Sequence, residues 1–266
     1  YQAAETVPLS VCAVDGAPLI EAEDWALDID RIAALVRPET KLISVNFPNN
    51  PTGAIASRDR FDALIALCRE HDLLLFSDEV YRLMERRAGD RLPNAADLYE
   101  KALSLNVMSK SYGLPGLRVG WIAGKDRAVL ARLARYKHYL SICNAAPSER
   151  LAVIALKAGE QIVARNRSIA EANLDRLDAF FAAHSDLFEW RRPQGGCIGF
   201  PRYRGADGVE AFCAEILEKA GILLLPASLY RSEVADAPID RFRIGFGRNG
   251  LDAALADFET FLADRK

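Results

Sequence analysis

The sequence predicts an α/β fold, in which a large domain built on a mostly parallel sheet flanked by helices is followed by a smaller C-terminal α+β domain. Apolar, strand-like runs alternate with amphipathic helical stretches through the first part of the chain. The runs are continuously apolar, as is typical of parallel strands buried on both faces. After one long helical stretch, the strands become short. We expect the large domain to span 1–169 and the small domain 170–266.

Helix and strand signals place the elements of the large domain. Asp28 to Val36 has helical spacing of apolar residues, and Pro38 ends that helix. Ser57 is a good N-cap for the amphipathic helix that follows it. The predicted elements are a short helix followed by a strand at 7–14, strands at 41–46, 73–77, 102–107 and 119–123, and helices at 28–36, 58–71, 126–140, 147–158 and 160–184.

The small domain is predicted from shorter signals of the same kind. We expect the long helix at 160–184 to lead the chain from one domain into the other. The predicted elements are strands at 188–190, 197–200, 222–225 and 241–246, and helices at 209–219 and 251–264.

Composition and charge exclude several classes of function. The chain has 266 residues, half of them hydrophobic, which is enough for one large or two smaller domains. It carries 34 Lys and Arg against 37 Asp and Glu, a net charge of −3, without a basic cluster. We therefore expect no nucleic acid as a partner of this chain. No apolar run approaches the ~20 residues of a membrane span, so we expect no membrane partner either.

Cysteine and histidine usage indicates the compartment and the type of chemistry. The five cysteines are scattered and odd in number, and no pair has CxxC spacing. This usage is typical of reduced thiols in a cytoplasmic protein. The first residues show no signal-peptide pattern. The three histidines are dispersed, so we expect neither a histidine metal site nor a Ser-His-Asp triad.

Three polar residues follow three of the predicted strands. Asn50, Asp78 and Lys110 all fall just past a strand C-terminus. Ligands of parallel α/β sheets bind beyond the carboxyl ends of the strands. The topology therefore predicts that these three side chains converge.

Lys110 needs its own explanation, because it lies between two predicted core strands, 102–107 and 119–123. An unpaired ammonium is costly to bury. Either the lysine lies at the surface of a turn, or its amine is chemically committed to a ligand. From the position alone, both alternatives stay open.

A series of short motifs decides between them. Taken together, they closely resemble those of the class I/II aminotransferases, the pyridoxal-phosphate enzymes of fold type I. The resemblance covers essentially the whole chain and implies a three-layer sandwich for the large domain. The motifs, in order, are Asn-Asn-Pro-Thr-Gly at 49–53, Ser-Asp-Glu-Val-Tyr at 77–81, Ser-Lys-Ser-Tyr-Gly at 109–113, Arg118, and Arg-Phe-Arg-Ile-Gly-Phe at 241–246.

The resemblance implies a role for each residue that contacts the cofactor ring. Lys110 would form the Schiff base with the cofactor aldehyde and then move a proton between substrate and cofactor. Asp78 would pair with the pyridine nitrogen and keep the ring protonated. Tyr81 and Asn50 would donate hydrogen bonds to the phenolate oxygen. Tyr1 is the candidate for an aromatic side chain stacked on the ring.

The same resemblance implies the residues that hold the charged ends of cofactor and substrate. Arg118 and Ser109 would bind the phosphate, Arg118 as a fork-shaped donor. Arg243 would clamp the α-carboxylate of the substrate through two parallel hydrogen bonds, with Asn50 beside it.

Two departures from the family pattern affect the phosphate contacts. Val107 occupies a position where the family often has Ser or Thr, which predicts one phosphate hydrogen bond fewer. The glycine-containing phosphate loop of the family lies upstream of this region and is not among these residues. Since the sequence also starts at Tyr1 without a methionine, we expect an N-terminally incomplete chain.

The function implied is transfer of an α-amino group between an amino acid and a 2-oxo acid, by a homodimer with shared active sites. A lyase, decarboxylase or cyclising enzyme of the same fold would use the same cofactor residues, so these remain alternatives. The aminotransferase-like, ligand-sensing domain of a transcription regulator is a further one. The identity of the substrate side chain stays open.

Overall fold

The computed structural model describes residues 2–265. Its central sheet has four strands in the order β1-β2-β3-β4. β1 (Leu42–Asn46), β2 (Leu74–Asp78) and β3 (Ala102–Val107) are parallel, and β4 (Gly120–Gly124) runs antiparallel to β3. The predicted mostly parallel sheet is confirmed. Residues 108–119, which join β3 to β4, contain no α-helix that could return the chain to a parallel start, so β4 runs backwards.

The helices are bounded largely where the sequence predicts them. Ser57 caps the third helix by accepting a hydrogen bond from Arg60 N at 3.4 Å, and Asp126 caps the fifth through Ala128 N and Val129 N. The helices are α1 (Ala3–Leu9), α2 (Ile29–Leu35), α3 (Arg58–Glu70), α4 (Ala95–Leu98), α5 (Arg127–Leu140), α6 (Ala146–Lys157), α7 (Gly159–Ala183), α8 (Val209–Ala220) and α9 (Leu251–Asp264).

One face of the sheet packs against α3 and α4. Leu75 of β2 and Ala102 of β3 are buried against Phe61 and Leu64 of α3 and against Tyr99, which follows α4. Helix α3 is amphipathic, and its apolar side supplies this contact. The packing fixes the sheet on which the candidate site residues are mounted.

The C-terminal part of the chain has two small antiparallel sheets. β5 (Phe188–Glu189) pairs with β7 (Arg202–Tyr203). β9 (Phe242–Gly245) lies between β6 (Ile198–Gly199) and β8 (Leu225–Pro226). These strands share a second hydrophobic core with α7, α8 and α9.

Helix α7 contacts both parts of the molecule. Asn166, in its first half, donates a hydrogen bond of 3.0 Å to Ser111 O beside Lys110. From Ala170 to Phe181, its buried residues belong to the second core. This arrangement agrees with a helix that joins two domains. The division at 169/170 itself stays a prediction.

Three details of the predicted secondary structure are wrong. Residues 7–14 do not form a strand, because Val7 to Leu9 complete α1 and the chain beyond has no neighbouring strand to pair with. Of residues 222–225 only Leu225 is in a strand, since Ile222 N instead closes the end of α8 on Ile216 O. Strand β7 was not predicted.

Between residues 2 and 265, every helix is too short or too polar to cross a membrane.

Candidate active site

Lys110 lies in a turn that is fixed from several sides. Ser111, the next residue, donates its hydroxyl to the carbonyls of Arg82 and Val80 and accepts from Asn166 through its backbone oxygen. Gly113 closes the turn with a positive φ of 66°, a conformation that favours glycine. The turn thus has one defined shape next to the end of β2.

The Lys110 side chain is exposed, and its Nζ lies 5.2 Å from the centroid of the Tyr81 ring. The cost of burying an ammonium therefore does not apply, and the first alternative, a lysine at the surface of a turn, describes its position. Exposure also leaves the amine accessible to a ligand. The contact with Tyr81 brings it to the mouth of the sheet, where the topology predicted it.

Asp78 is the last residue of β2. Its Oδ1 accepts a hydrogen bond from Val80 N at 3.1 Å, and its backbone oxygen accepts one from Asn46 Nδ2 at 3.0 Å. Burial raises the pKa of the Asp78 carboxyl, while Val80 N–H, Asn46 and the charge of Lys110 act in the opposite direction. Burial is the larger effect, so the charged form of this carboxyl is disfavoured despite the charge of Lys110.

Tyr81 is 3% exposed. Burial raises the pKa of its phenol far above the usual range, so the group is a neutral hydrogen-bond donor at all physiological pH values. Gly196 packs against the ring: a Cβ at this position would lie 3.5 Å from the ring carbon Cγ. The ring is therefore held between Gly196 and the Lys110 amine.

Asn50 and Arg243 connect the two parts of the molecule. Arg243, on β9, donates from Nη1 to Asn50 Oδ1 at 3.2 Å. Asn50 is 6% exposed, and its backbone N–H donates to Asn46 Oδ1 at 2.9 Å. The Arg243 guanidinium also lies 5.7 Å from the centroid of the Tyr230 ring. An arginine of the C-terminal part of the chain thereby reaches a residue that follows β1.

The structure joins five of the predicted site residues. The contacts agree with the predicted convergence of Asn50, Asp78 and Lys110: Asn46 accepts from the backbone N–H of Asn50 and donates to the backbone oxygen of Asp78, whose carboxylate attracts Lys110. Tyr81 and Arg243 complete the group. The other predicted residues are Arg118, Ser109 and Tyr1.

Arg118 and Ser109 make no hydrogen bond or ion pair with the five joined residues within residues 2–265. Arg118 is exposed and donates to Pro115 O at 3.1 Å within its own turn. Ser109 is half-buried, and its side chain makes no hydrogen bond within residues 2–265. Tyr1 lies outside the described residues. Their roles at the cofactor stay predictions.

Sequence reasoning gave no role to three residues that belong to the site. Asn46 links Asp78 to Asn50, and Tyr230 faces Arg243. Burial raises the pKa of the Cys197 thiol, and the nearby charges of Lys110, Arg86, Arg243 and Arg248 oppose this. Cys197 directly follows Pro-Gln-Gly-Gly at 193–196, and this motif is the one feature of the sequence that could have pointed to Cys197 as part of the site.

Comparison with known protein families identifies this arrangement. The model of the family described as "Aminotransferase class I and II" matches residues 4–256. The chain belongs to this family. The class I and II aminotransferases and this fold depend on pyridoxal phosphate.

Individual relatives agree with the family assignment. A solved structure of a PLP-dependent aminotransferase from Streptococcus suis 89-1591 is 31% identical, with a TM-score of 0.89 over 99% of this chain and 68% of that chain. The structure of the PLP-dependent cyclase OrfR in complex with Au is 28% identical, with a TM-score of 0.81 over 97% of this chain and 68% of that one. The fold of this aminotransferase-family chain is thus established.

Another relative shows how the length of this chain compares with that of a family member. Capreomycidine synthase from Streptomyces vinaceus is 31% identical over 243 residues, which are 90% of this chain and 60% of the relative. The chain therefore spans about three fifths of the length of this relative.

The residues at the mouth of the sheet fit pyridoxal phosphate. Burial disfavours the charged form of the Asp78 carboxyl, and a protonated pyridine nitrogen would stabilise that charge by an ion pair. The exposed Lys110 amine is free to bond to an aldehyde, and Tyr81 and Asn50 offer neutral donors for a phenolate oxygen. Three functional groups of the cofactor thus have partners of matching chemistry on this chain.

Proposed function

We propose that this chain is the catalytic part of a pyridoxal-phosphate-dependent aminotransferase. It would transfer an α-amino group between an amino acid and a 2-oxo acid. One observation supports the proposal most directly. Arg243, which can donate hydrogen bonds to an α-carboxylate, comes from another part of the chain and meets the group formed by Lys110, Asp78, Tyr81 and Asn50.

The roles of the residues follow from their surroundings. When bound, pyridoxal phosphate supplies the aldehyde that takes up the amino group and the ring that accepts negative charge. Asp78 would hold the ring nitrogen in its protonated form, because an ion pair offsets the cost of burying its carboxylate. Lys110, accessible from solvent, would bind the aldehyde and move the proton at the substrate Cα.

Binding of its carboxylate would hold the substrate in one orientation. Arg243 presents its guanidinium beside Asn50, so one planar fork faces the site with a defined orientation. Such a fork binds a carboxylate through two parallel hydrogen bonds, which lysine cannot reproduce. The α-carboxylate is common to amino acids and 2-oxo acids, so one clamp serves both halves of the reaction.

The test is an absorbance titration of the purified protein with pyridoxal phosphate. We expect a visible band near ~420 nm, which marks the bond between the Lys110 amine and the aldehyde. Lys110→Ala should abolish it, whereas Lys157→Ala, on the exposed side of α6, should leave it unchanged. A band of equal strength in Lys110→Ala, or no band in the unmodified protein, would refute the assignment.

Cyclisation of an amino acid is the second candidate function. It is favoured by the similarity to the PLP-dependent cyclase OrfR. Product analysis discriminates: a transaminase converts an amino donor and a 2-oxo acid into the paired products, and a cyclase releases one cyclic product without a 2-oxo acid. A ligand-sensing regulator domain is not favoured, since none of the relatives named above is a regulator by name.

A homodimeric assembly and a cytoplasmic location complete the proposal. The exposed large apolar side chains of α5 and α6, among them Tyr136, Leu140 and Ile154, are compatible with burial against a second subunit. All five cysteines are free, as expected in a reducing compartment. Sedimentation of the full-length protein would test the first point.

A further inference from the structure

A cleft lies beside the turn that carries Lys110. It has a volume of about 210 Å³ and is lined in part by Val80, Arg82, Asn106, Tyr112 and Trp121. Cavities of ~150 Å³ already hold a benzene-sized molecule, so this cleft has room for a small ligand with some water.

The strand register places two lining residues of the cleft on the opposite face of the sheet from Asp78. Glu79 and Ser104 hydrogen-bond to each other at 2.8 Å, so their side chains share one face. Because side chains alternate along a strand, Asp78 points to the other face, and Asn106 points to the face of Ser104. Trp121 is paired with Asn106 across β3 and β4 and lies on that same face. Val107, on the face of Asp78, also borders the cleft, so the end of β3 separates these donors from the cofactor side.

The lining of the cleft is rich in unused hydrogen-bond donors. Arg82 Nε is buried and has no hydrogen-bond partner in the part of the chain that the structure describes, although Nη2 donates to Leu92 O at 3.2 Å. The indole N–H of Trp121, the hydroxyl of Tyr112 and the amide of Asn106 also make no hydrogen bond within residues 2–265. Unsatisfied donors at a partly buried site cost free energy until a ligand or water accepts from them.

The charge of Arg82 is not neutralised at short range. Glu79 attracts it electrostatically, but the two form no ion pair. Glu79 Oε1 is instead committed to Ala95 N at 2.9 Å and to Ser104 Oγ. A half-buried guanidinium beside neutral N–H and O–H donors matches an anion with several acceptor oxygens.

We propose that this cleft binds a small oxyanion through Arg82, with Trp121, Tyr112 and Asn106 as neutral donors. The shared chemistry is that of inorganic phosphate and of short carboxylates. The cleft also adjoins the lysine turn, since the hydroxyl of Ser111 bonds to the carbonyls of Arg82 and Val80. Occupation of the cleft would therefore stiffen the support of Lys110 from behind. The proposal does not depend on the transaminase activity.

The test is titration of the full chain with sodium phosphate and, separately, sodium acetate, at constant ionic strength. Binding is followed by calorimetry and by tryptophan fluorescence. We expect saturable binding, and the arm with higher affinity identifies the class of oxyanion. Arg82→Gln should weaken it about tenfold or more, because a charged hydrogen-bond donor is lost. Trp121→Phe should weaken it less and remove most of the fluorescence change. Arg132→Gln, an exposed arginine of α5, is the matched control.

Further variants keep the test decisive. Phosphate could also bind on the cofactor side, so Arg118→Gln and Lys110→Ala should leave the affinity unchanged. If either of these variants lowers the affinity and Arg82→Gln does not, the anion binds on the cofactor side and not in this cleft, and the proposal fails. Asn106→Leu, checked for folding by circular dichroism, replaces Arg82→Gln if the latter does not fold. The absence of saturable binding up to about 20 mM of either anion would also overturn the proposal.

Discussion

Tyr99 illustrates how one buried polar side chain holds the large domain together. It is 1% exposed, and its hydroxyl donates to Leu73 O at 2.7 Å and to Cys68 O at 3.3 Å. The residue thereby ties the segment after α4 to the end of α3 and the start of β2. Burial raises the pKa of the Tyr99 phenol to about 12.

We predict that Tyr99→Phe lowers the free energy of unfolding by about 1 kcal/mol near neutral pH, through loss of the hydroxyl hydrogen bonds. The pKa is raised on folding, so the stability linked to it is present below the unfolded value of ~10 and is lost as pH rises toward 12. Urea unfolding between pH 8 and 11 measures both effects. Equal alkaline destabilisation of the variant and the parent would contradict the linkage.

At the same scale, the motifs predicted residue identity better than residue contacts. Lys110, Asp78, Tyr81, Asn50 and Arg243 stand in local patterns whose order along the chain is informative, and the structure joins them. Asn46, Tyr230 and Cys197 could not be assigned in this way. Their places in the site come from strand register and from a contact across domains, which no local pattern encodes.

At the scale of elements, the N-terminus of α5 shows how a single cap sets a helix boundary. Asp126 Oδ1 accepts hydrogen bonds from Ala128 N at 2.9 Å and Val129 N at 3.0 Å. This helix has no buried residue within the described chain, so packing contributes little to its start. The cap and the helix dipole therefore account for a large part of its local stability.

We predict that Asp126→Ala lowers the free energy of unfolding by about 1 kcal/mol and frays the first turn of α5. Asp126→Asn keeps an acceptor at the cap and should lose only part of this. Hydrogen exchange of Ala128 and Val129 amides reports the fraying directly. If both variants lose equal protection, the charge of Asp126 rather than its hydrogen bonds is responsible.

Element boundaries were predictable where a cap or a long apolar pattern marked them. Ser57 before α3 and Asp126 before α5 are such marks. The antiparallel direction of β4 and the existence of β7 were not predictable, because pairing partners distant in sequence decide both. The run from Val7 to Leu9 was misassigned because a short apolar stretch is equally compatible with helix and strand.

At the scale of the whole molecule, the two larger of the three hydrophobic cores in residues 2–265 are the dominant feature. Leu64 and Leu174 are both fully buried, the first in the core beneath the parallel sheet and the second in the C-terminal core. Cores of this kind correspond to domains that can unfold separately. The predicted division at 169/170 can be tested on this basis.

We predict two transitions in a calorimetric scan. Leu174→Ala should lower the midpoint temperature of one transition, and Leu64→Ala should lower that of the other. Each shift should correspond to a loss of about 2–5 kcal/mol in the free energy of unfolding, because each variant leaves a cavity in one core. Leu217→Ala, half-exposed on α8, should shift neither by more than ~0.5 kcal/mol. A single transition that both core variants lower equally would show that the two domains unfold as one unit.

The antiparallel pairing of β3 with β4 also has a consequence for how the molecule folds. These strands are joined by residues 108–119 alone, whereas β1 and β2 are separated by residues 47–73, which include α3. Closing the shorter loop costs less chain entropy, and local contacts form sooner than distant ones. The segment that carries Lys110 is therefore expected to acquire its shape early, before the parallel strands assemble beside it. The Lys110 amine would then be positioned by one hairpin, and the Asp78 carboxylate at the end of β2 would arrive later.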